Sequence, residues 1–291
     1  MKRKWIFTSL LLLTILLSSC ASGHREPLPE TQTLVRDISP VESRLTSAIS
    51  SCDRLTMKTI GEVNYGEYKA PVWLVSFSPV EKPAYRVFLC GGIHGNEPAS
   101  VETMVKMIET IALNPQKYQD ISFDIVPVIN PWGWCHDMRF NRDGRDVNRD
   151  FVSFKCQESR IIKEFMQGKK YDLIIDCHED PDATGFYLYQ YGNPDVSLSR
   201  KALEAVRNAG YPIEQDVKMV ILKTEDGLID APMWGLRYMQ LTKQLSITNY
   251  FRLNNSQRVY TIETPTRLAM EDRLEMQMMA LGMILNSLGK D

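Results

Sequence analysis

Short apolar runs alternate with stretches of helical periodicity along most of the chain. The run at 85–90 (YRVFLC) has the length and residue content of a buried strand, and the following stretch at 99–113 repeats its apolar residues at helical spacing. The same alternation recurs farther along the chain. Strands that alternate with helices indicate an α/β fold, so we predict a single domain with a mixed, largely parallel sheet flanked by helices.

Polar turns separate the predicted elements. An Asn-Tyr-Gly turn at 64–66 joins the first two strands, and the stretch between the strand at 218–222 and the strand at 259–263 is predicted to be rich in loops. Predicted strands cover 55–60, 71–77, 85–90, 123–129, 171–177, 186–191, 218–222 and 259–263. Predicted helices cover 41–51, 99–113, 157–166, 198–209 and 271–288.

The N-terminus has the pattern of an export signal. Three basic residues at 2–4 precede an almost wholly apolar run at 6–17. That run is shorter than the about 20 residues of a transmembrane helix and matches the apolar core of a secretory signal. It ends in LSSC at 17–20, which resembles the bacterial lipobox. We therefore expect a lipoprotein signal peptide at 1–19, a lipid on Cys20, and an anchor on a membrane of the bacterial cell envelope. An ordinary signal peptide cut nearby is the alternative.

Residues 20–34 are polar, include two prolines and lack periodicity. We predict that they form a flexible tether in front of a folded domain at 35–291. The chain has 34 basic and 36 acidic residues, and loss of the basic leader makes the balance more acidic. This charge gives no indication of nucleic acid binding.

Five cysteines remain beyond Cys20, and their odd number and spacing indicate no disulfide framework. The two in apolar strand runs, Cys90 and Cys177, are predicted to be buried free thiols. Cys135 and Cys156 form the one pair for which oxidation is a hypothesis.

Two of the four histidines follow directly on predicted buried strands. His94 lies in the strand-to-helix turn GGIHGNEP at 91–98, and His178 follows the strand at 171–177. Pro98 suits the first position of a helix, which leaves Glu97 near the N-cap. Open α/β sheets place ligand sites beyond the carboxyl ends of their strands, and catalytic zinc sites commonly use three protein ligands. His94, Glu97 and His178 are therefore predicted to bind zinc, with two structural histidines as the alternative.

Hydrolysis at such a site also needs a carboxylate that takes up and returns a proton. Glu263, at the end of a predicted strand, is the candidate, and an ordinary strand-end glutamate is the alternative. The polar segment 139–151 (RFNRDGRDVNRDF) carries four arginines. It is either a solvated loop or a substrate-binding loop, in which one arginine stabilises an oxyanion and another binds a carboxylate.

Together these motifs resemble the zinc carboxypeptidase superfamily, which includes the succinylglutamate desuccinylases, the aspartoacylases and the bacterial murein peptide amidases. The resemblance extends over about 170 residues of the predicted catalytic core. The matching residues are His94-x-x-Glu97 after Gly91-Gly92, Asn130-Pro131, Gly144-x-Asp146-x-Asn148-Arg149-x-Phe151, Asp176-x-His178 and Glu263.

The resemblance implies roles for eight side chains of the predicted site. His94, Glu97 and His178 would bind zinc, and Glu263 would act as general base and acid. Asn148 and Arg149 would hold the terminal carboxylate of the substrate. Arg139 would polarise the scissile carbonyl. Asp146 would contact His94 on the side away from the metal and so hold its orientation.

The chain departs from the digestive carboxypeptidases in two respects. Only 80 residues separate Glu97 from His178, a spacing closer to that of compact bacterial members. The tyrosine that caps the substrate in those enzymes has no clear counterpart, and Tyr238 and Tyr250 are candidates. Both departures argue against classical carboxypeptidase specificity.

We therefore expect a zinc-dependent hydrolase that cleaves an amide bond next to a free carboxylate in peptides outside the cytoplasm, with cell-wall peptides as a substrate class. One alternative is an N-acyl amino acid deacylase of the desuccinylase or aspartoacylase type. Another is a non-catalytic binding lipoprotein that keeps the fold. The expected partners are a peptide or a small acyl-amino acid and, through the lipid, a membrane. The sequence does not indicate an oligomeric state.

Overall fold

The computed structural model describes residues 27–28, 33–215, 218–219 and 222–288, without the side chains of 218–219 and 222–223. The predicted signal peptide and Cys20 lie outside the described residues, as does most of the predicted tether. Among the helices that are described, none combines the length and the apolar character needed to cross a membrane.

Ten strands lie in the described part of the chain. Eight of them form one mixed sheet and two form a short antiparallel pair. The strands are β1 (Leu55–Tyr65), β2 (Tyr68–Phe77), β3 (Tyr85–Cys90), β4 (Ile121–Val126), β5 (Leu173–Asp180), β6 (Tyr187–Tyr191), β7 (Lys218–Met219), β8 (Leu222–Lys223), β9 (Leu228–Ala231) and β10 (Val259–Pro265). The order in the large sheet is β1-β2-β4-β3-β5-β10-β6-β9, and β7 pairs with β8.

Four adjacent strands, β4, β3, β5 and β10, run parallel to one another, and β6 pairs parallel with β9. The pairs β1–β2, β2–β4 and β10–β6 are antiparallel. The prediction of a mixed, largely parallel sheet is confirmed.

Helices cover both faces of this sheet. They are α1 (Ser39–Ser51), α2 (Pro98–Leu113), α3 (Pro131–His136), α4 (Gln157–Met166), α5 (Ser197–Asn208), α6 (Met233–Leu241), α7 (Ile247–Asn254) and α8 (Met270–Asn286). Two short 3-10 turns lie at Pro115–Tyr118 and Val147–Arg149.

Alternate side chains of β3 point into two separate cores. Val87 and Leu89 belong to a core with residues of α1, α2, α5 and α8, whereas Phe88 and Cys90 belong to a core with residues of α4 and α7. Successive side chains of a strand face opposite sides of the sheet, so a strand covered by helices on both sides is apolar throughout. This explains why 85–90 is a continuous apolar run.

Several elements have the predicted bounds, and others shift by a few residues. β3 and α4 match the prediction residue for residue. α2 begins at Pro98 with Glu97 as its N-cap, as expected. β5 extends through Asp180 because it pairs with β10 as far as Asp180–Pro265, so His178 lies inside the strand and not after it.

The prediction of a loop-rich stretch before the last strand is wrong. This stretch contains β9, α6 and α7. β9 has only four residues and is ordered by its pairing with β6, a long-range contact without a local signal. The strand predicted at 218–222 is instead the short pair β7–β8.

The five cysteines of the described chain are free and buried. Cys90 and Cys177 lie in strands, as predicted. Cys135 is not joined to Cys156, and its sulfur accepts a hydrogen bond from the Tyr68 hydroxyl at 3.5 Å. The hypothesis of an oxidised Cys135–Cys156 pair is not supported by the structure.

Candidate metal and catalytic site

Three neighbouring parallel strands bring the predicted site residues to one edge of the sheet. β3 ends shortly before His94, β5 carries His178, and β10 carries Glu263. His178 and Glu263 are paired in the β5–β10 register. The structure therefore places Glu263 beside the predicted ligands, which the sequence alone could not establish.

Glycines allow the turn that carries His94 to be tight. Gly92 has a φ of +64°, a conformation that favours glycine. A Cβ atom on Gly95 would collide with the backbone of Gly133 at the start of α3. The turn is therefore packed directly against α3.

His94, Glu97 and His178 are buried and lie together. One ligand atom of each lies within 4.8 Å of the others. Glu97 Oε1 is 2.6 Å from His94 Nδ1, and Glu97 Oε2 is 2.8 Å from His178 Nδ1. The Glu97 side chain makes no N-cap hydrogen bond to α2. Its carboxylate lies between the two imidazoles, so the three side chains could hold a metal ion.

The outer nitrogen of each imidazole contacts a second carboxylate. His94 Nε2 is 3.1 Å from Asp146 Oδ1, and His178 Nε2 is 2.7 Å from Asp176 Oδ2. With a metal ion bound at Nδ1, each Nε2 would carry the hydrogen and donate it to its carboxylate, and each Nδ1 would direct its lone pair toward the metal. Metal-binding histidines are commonly oriented in this way.

In this tautomer the Nδ1 atom of each imidazole faces a Glu97 oxygen, and both of these atoms are hydrogen-bond acceptors. A proton or a metal ion between them makes the contact favourable. Burial alone would lower the pKa of His178, but Asp176 and Glu97 raise it well above its usual value. Burial disfavours the Glu97 carboxylate, but the two imidazoles hold its pKa below the usual range. The cluster thus favours a bound cation.

Asp176 is a functional candidate to which the sequence assigned no role. It is fully buried, its Oδ2 contacts His178, and its Oδ1 accepts from the Cys90 thiol at 3.3 Å. Residues two apart in a strand share a face. Once His178 is placed within β5, the Asp176-x-His178 spacing therefore predicts this contact.

Arg139 lies at the rim of the cluster. Its Nε and Nη2 atoms donate to Asp146 Oδ2 at 3.2 and 2.9 Å. Its Nη1 atom is 3.2 Å from His94 Nδ1 and 3.6 Å from Glu97 Oε1. The side chain is 37% exposed, so the guanidinium reaches the ligands from the solvent side. It supplies a positive charge next to the proposed metal position.

Glu263 is half-buried on β10, and its carboxylate forms no hydrogen bond or ion pair with any other residue of the described chain. Burial raises the pKa of Glu263 well above its usual value. The pKa is lowered by His178 and raised by Glu97, Asp180 and Asp176. A carboxyl group with a raised pKa is suited to both proton uptake and proton return.

Asn148 and Arg149 lie in the 3-10 turn beside the cluster. Asn148 is buried, its Oδ1 accepts from the Ile247 N–H at 2.9 Å, and its Nδ2 is 3.4 Å from His178 Nε2. Arg149 is exposed, and its Nη1 donates to the Asn148 carbonyl at 2.9 Å. Asp146 caps the turn by accepting from the Asn148 N–H. The two predicted carboxylate-binding residues thus adjoin the ligands.

The arginine-rich segment is an anchored loop. Asn141 is fully buried, and its Oδ1 accepts from the backbone N–H groups of Asp143 and Arg145. Its Nδ2 donates to the buried Glu158 carboxylate at 3.0 Å, and Glu158 also accepts from the Tyr65 hydroxyl at 2.6 Å. The segment is therefore anchored to the body of the protein and is not simply a solvated loop.

The tyrosines of β6 were not predicted as part of the site. Tyr187 is the register partner of Glu263, and its hydroxyl donates to Asp180 at 2.6 Å. Tyr189 and Tyr191 lie on the same face of the strand. The alternating YLYQY pattern at 187–191 is the sequence signal that could have identified this face.

Neither candidate for a capping tyrosine is distinguished by its surroundings. Tyr250 packs against the rings of Phe151, Phe154 and Phe251. Tyr238 lies on the exposed side of α6. No capping role is assigned to either residue.

The family profile of the succinylglutamate desuccinylase/aspartoacylase catalytic domain matches residues 83–220. Carboxypeptidase 2 of Trichophyton tonsurans is 34% identical over 112 residues, which are 36% of this chain and 21% of that protein. Carboxypeptidase E of Caenorhabditis elegans is 27% identical over 206 residues, which are 60% of this chain and 42% of that protein. The chain thus spans less than half the length of these curated relatives.

Solved structures show the same fold at low sequence identity. A candidate metallopeptidase from Shewanella amazonensis SB2B has a TM-score of 0.72 and 21% identity, covering 88% of this chain and 94% of that chain. Carboxypeptidase A from Helicoverpa armigera has a TM-score of 0.66 and 15% identity, covering 98% of this chain and 82% of that chain. At this level of identity the likeness concerns the fold alone.

Proposed function

We propose that the chain is a zinc-dependent hydrolase that cleaves an amide bond next to a free carboxylate, a proposal that its similarity to the desuccinylase/aspartoacylase profile and to carboxypeptidases supports. One observation carries the proposal. The Nδ1 atoms of His94 and His178 converge on the Glu97 carboxylate, and Glu263 lies on the adjacent strand.

The donor set suits zinc. Two imidazole nitrogens and one carboxylate form a ligand set of the catalytic zinc type, which leaves a position for water. Asp146 and Asp176 would accept from the two Nε2–H groups, which would leave the two Nδ1 lone pairs for the metal. Zinc held by these residues would acidify a water molecule and polarise the substrate carbonyl.

Glu263 would carry the proton in this reaction. Its carboxylate is free of other partners in the described chain and is positioned by its register with His178. In the ionised form it would take a proton from the attacking water, and it would then return this proton to the leaving nitrogen. Its raised pKa makes the ionised form a stronger base for the first step.

The arginine-rich loop would bind the substrate. Arg139 is held by Asp146 and would stabilise negative charge on the former carbonyl oxygen. Arg149 is exposed and would bind the free carboxylate of the substrate. The Nδ2 group of Asn148 would donate to that carboxylate, while its Oδ1 accepts from the Ile247 N–H and so orients the amide.

The proposed location is the outside of the cytoplasmic membrane, with the protein tethered through a lipid on Cys20. The leader pattern supports this location. The chain enters the domain close to the site, because Val35 and Arg36 donate to the Cys135 carbonyl and Arg36 Nη1 donates to the Gly95 carbonyl at 3.0 Å. Cys20→Ala should prevent fatty-acid labelling and release the protein from membranes, and labelling that persists would contradict a lipid on Cys20.

Short cell-wall peptides are the proposed substrates, since their amide bonds lie next to free carboxylates. Besides Arg149, the exposed Arg142 stacks over Trp132 with its guanidinium 5.9 Å from the ring centroid, and it is available for a second negative group. Muropeptide stems should therefore be cleaved with a higher kcat/KM than ordinary blocked dipeptides. If only ordinary peptides are cleaved, the cell-wall substrate is wrong and the peptidase proposal survives.

A deacylase of N-acyl amino acids is the second candidate. The match of residues 83–220 to the desuccinylase/aspartoacylase profile favours it. Purified protein should be assayed with N-succinyl and N-acetyl amino acids in parallel with peptides. Faster cleavage of the acyl-amino acids would favour the deacylase. Binding of both substrate classes without turnover by the zinc-loaded protein would favour a non-catalytic binding lipoprotein.

Removing the free carboxylate of the substrate tests whether the arginine-rich loop binds it. Conversion of the substrate carboxylate to an amide should lower kcat/KM strongly, because Arg149 would lose its charged partner. The same loss should be much smaller in Arg149→Ala, for which the free acid is no longer favoured. Equal rates for free acid and amide in the unaltered protein would exclude a carboxylate clamp.

A further inference from the structure

Two polar side chains of the last helix, the half-buried Arg273 and the buried Gln277, contact the strand that carries His178. Arg273 and Gln277 are four residues apart and therefore lie on one face of α8. Arg273 forms an ion pair with the buried Glu179 carboxylate. Gln277 Nε2 donates to the backbone carbonyl of His178 at 2.9 Å and to Thr264 Oγ1 at 3.0 Å. We call Arg273, Gln277, Glu179 and Thr264 the α8 cluster.

The α8 cluster also contacts the segment that carries Glu97. Glu179 Oε2 accepts from the Ala99 N–H at 2.6 Å, in the first turn of α2. The backbone N–H of Glu179 donates to Glu97 Oε2 at 3.2 Å. Glu179 is thus bonded both to the N-terminal turn of α2 and to the proposed ligand that precedes this turn.

Thr264 connects the cluster to the third strand. It directly follows Glu263 on β10 and is fully buried. Its hydroxyl lies 3.4 Å from the His178 carbonyl, the same oxygen that Gln277 binds. One amide group of α8 therefore joins β5 at His178 to β10 next to Glu263.

At His178, the strand β5 has no pairing partner among the described residues on its β3 side. β3 pairs with β5 only as far as Cys90–Asp176, so β5 continues past the end of this neighbour. Among the described strands, β5 is paired at His178 with β10 only, and the Gln277 and Thr264 side chains add contacts to the His178 carbonyl. Contacts that hold the backbone at this position keep the His178 side chain in a defined place.

The cluster is not the arrangement that packing alone would favour. Gln277 is fully buried, and its Oε1 atom has no hydrogen-bond partner in the described chain, nor does the Nε atom of Arg273. A buried polar group without a partner is destabilising, and apolar side chains of similar size would fill the same space. The polar contacts to His178 and Glu179 therefore indicate a role other than filling the core.

We propose that Gln277 and Arg273 are positioning residues. They set the positions of His178 and, through Glu179, of Glu97 relative to Glu263. This role rests on the proposed function, in which His178 and Glu97 bind zinc and Glu263 transfers the proton.

The test uses the full chain and Zn²⁺ as the probe. Gln277→Met removes both donated hydrogen bonds at nearly constant volume. Zinc affinity, measured by competition with a chelator, should fall by about 10- to 100-fold, the usual effect of a lost supporting contact. The fall in kcat should exceed any change in KM. Arg273→Lys keeps a charge opposite Glu179 and should retain more zinc affinity than Arg273→Met.

Ile284→Ala is the matched control. Ile284 is buried on the same helix, and its truncation leaves a cavity that should lower Tm while zinc affinity stays unchanged. If Gln277→Met lowers Tm but keeps the zinc affinity and kcat of the unaltered protein, the positioning role is wrong. If Gln277→Met does not fold, Thr264→Val removes one of the two acceptors and is judged by the same measurements. If the unaltered protein binds no zinc, the proposed function fails, and the positioning role fails with it.

Discussion

Glu263 and His178 are register partners on the adjacent parallel strands β10 and β5. The backbone ladder therefore sets the distance between the proposed proton carrier and a proposed zinc ligand. The other neighbours of the two residues differ. Glu263 is also the register partner of Tyr187, and the His178 ring contacts Asp176. The two side chains can thus be altered separately, and they should give different results.

Glu263→Gln should retain the metal and lose activity, because Glu263 contacts no ligand of the cluster directly. We expect turnover to fall by about 10²-fold or more, the effect of a lost general base. Elemental analysis and steady-state kinetics measure the two quantities on one sample. Loss of zinc in this variant would mean that Glu263 is a ligand and not the base.

His178→Ala should abolish both stoichiometric zinc and activity. His136→Ala is the matched control, since that imidazole stacks on Trp132 and lies outside the ligand cluster. The control should bind about one zinc per chain. Activity of a zinc-free His178→Ala protein would rule out the zinc mechanism.

Asp176→Asn should weaken zinc binding without removing a ligand. The amide oxygen is a weaker acceptor for the His178 Nε2–H, so the tautomer that presents Nδ1 to the metal is less well defined. We expect a 10- to 100-fold loss of affinity, measured by chelator competition. Asp124→Asn is the control, because Asp124 is a hydrogen-bonded carboxylate elsewhere in the sheet, bound by Ser76 and Tyr171. An equal loss of zinc affinity in Asp124→Asn would show that removal of any carboxylate charge from the sheet weakens zinc binding.

Arg139→Ala should lower kcat by about 10²-fold, as expected for a lost oxyanion donor. Arg142→Ala provides the comparison, since Arg142 stacks on Trp132 and has no contact with the ligands in the described structure. For a minimal substrate with one carboxylate, this control should keep its kcat. A change confined to KM in Arg139→Ala would assign Arg139 to substrate binding.

The pH dependence of kcat/KM should reflect Glu263. Burial raises its pKa, so the carboxyl stays protonated to higher pH than an exposed glutamate. The base is the ionised form, and kcat/KM should therefore fall as pH decreases through the raised pKa, which lies above the ordinary value of 4.5. The residual activity of Glu263→Gln should lack this acid limb. An unchanged limb in that variant would assign it to another group.

Local sequence determined much of the framework. The apolar run of β3, the glycine turn and Pro98 are neighbours in the chain, so their conformations follow from short-range sterics and burial. The same local signals identified His94 and Glu97 as a pair of ligands in one turn. Elements without such signals were missed, as β9 shows, because its four residues are ordered by pairing with β6.

The tertiary structure alone decided which distant residues meet. Glu263 lies beside His178 because β10 inserts next to β5 in the sheet, and this strand order depends on the packing of both faces. The contacts of Gln277 with His178 and Thr264 likewise require α8 to fold back over that face. The sequence determined the residue types and the local turns of the site, whereas long-range strand pairing and helix packing decided the distances between them. Register and packing are properties of the whole sheet, and no single segment encodes them.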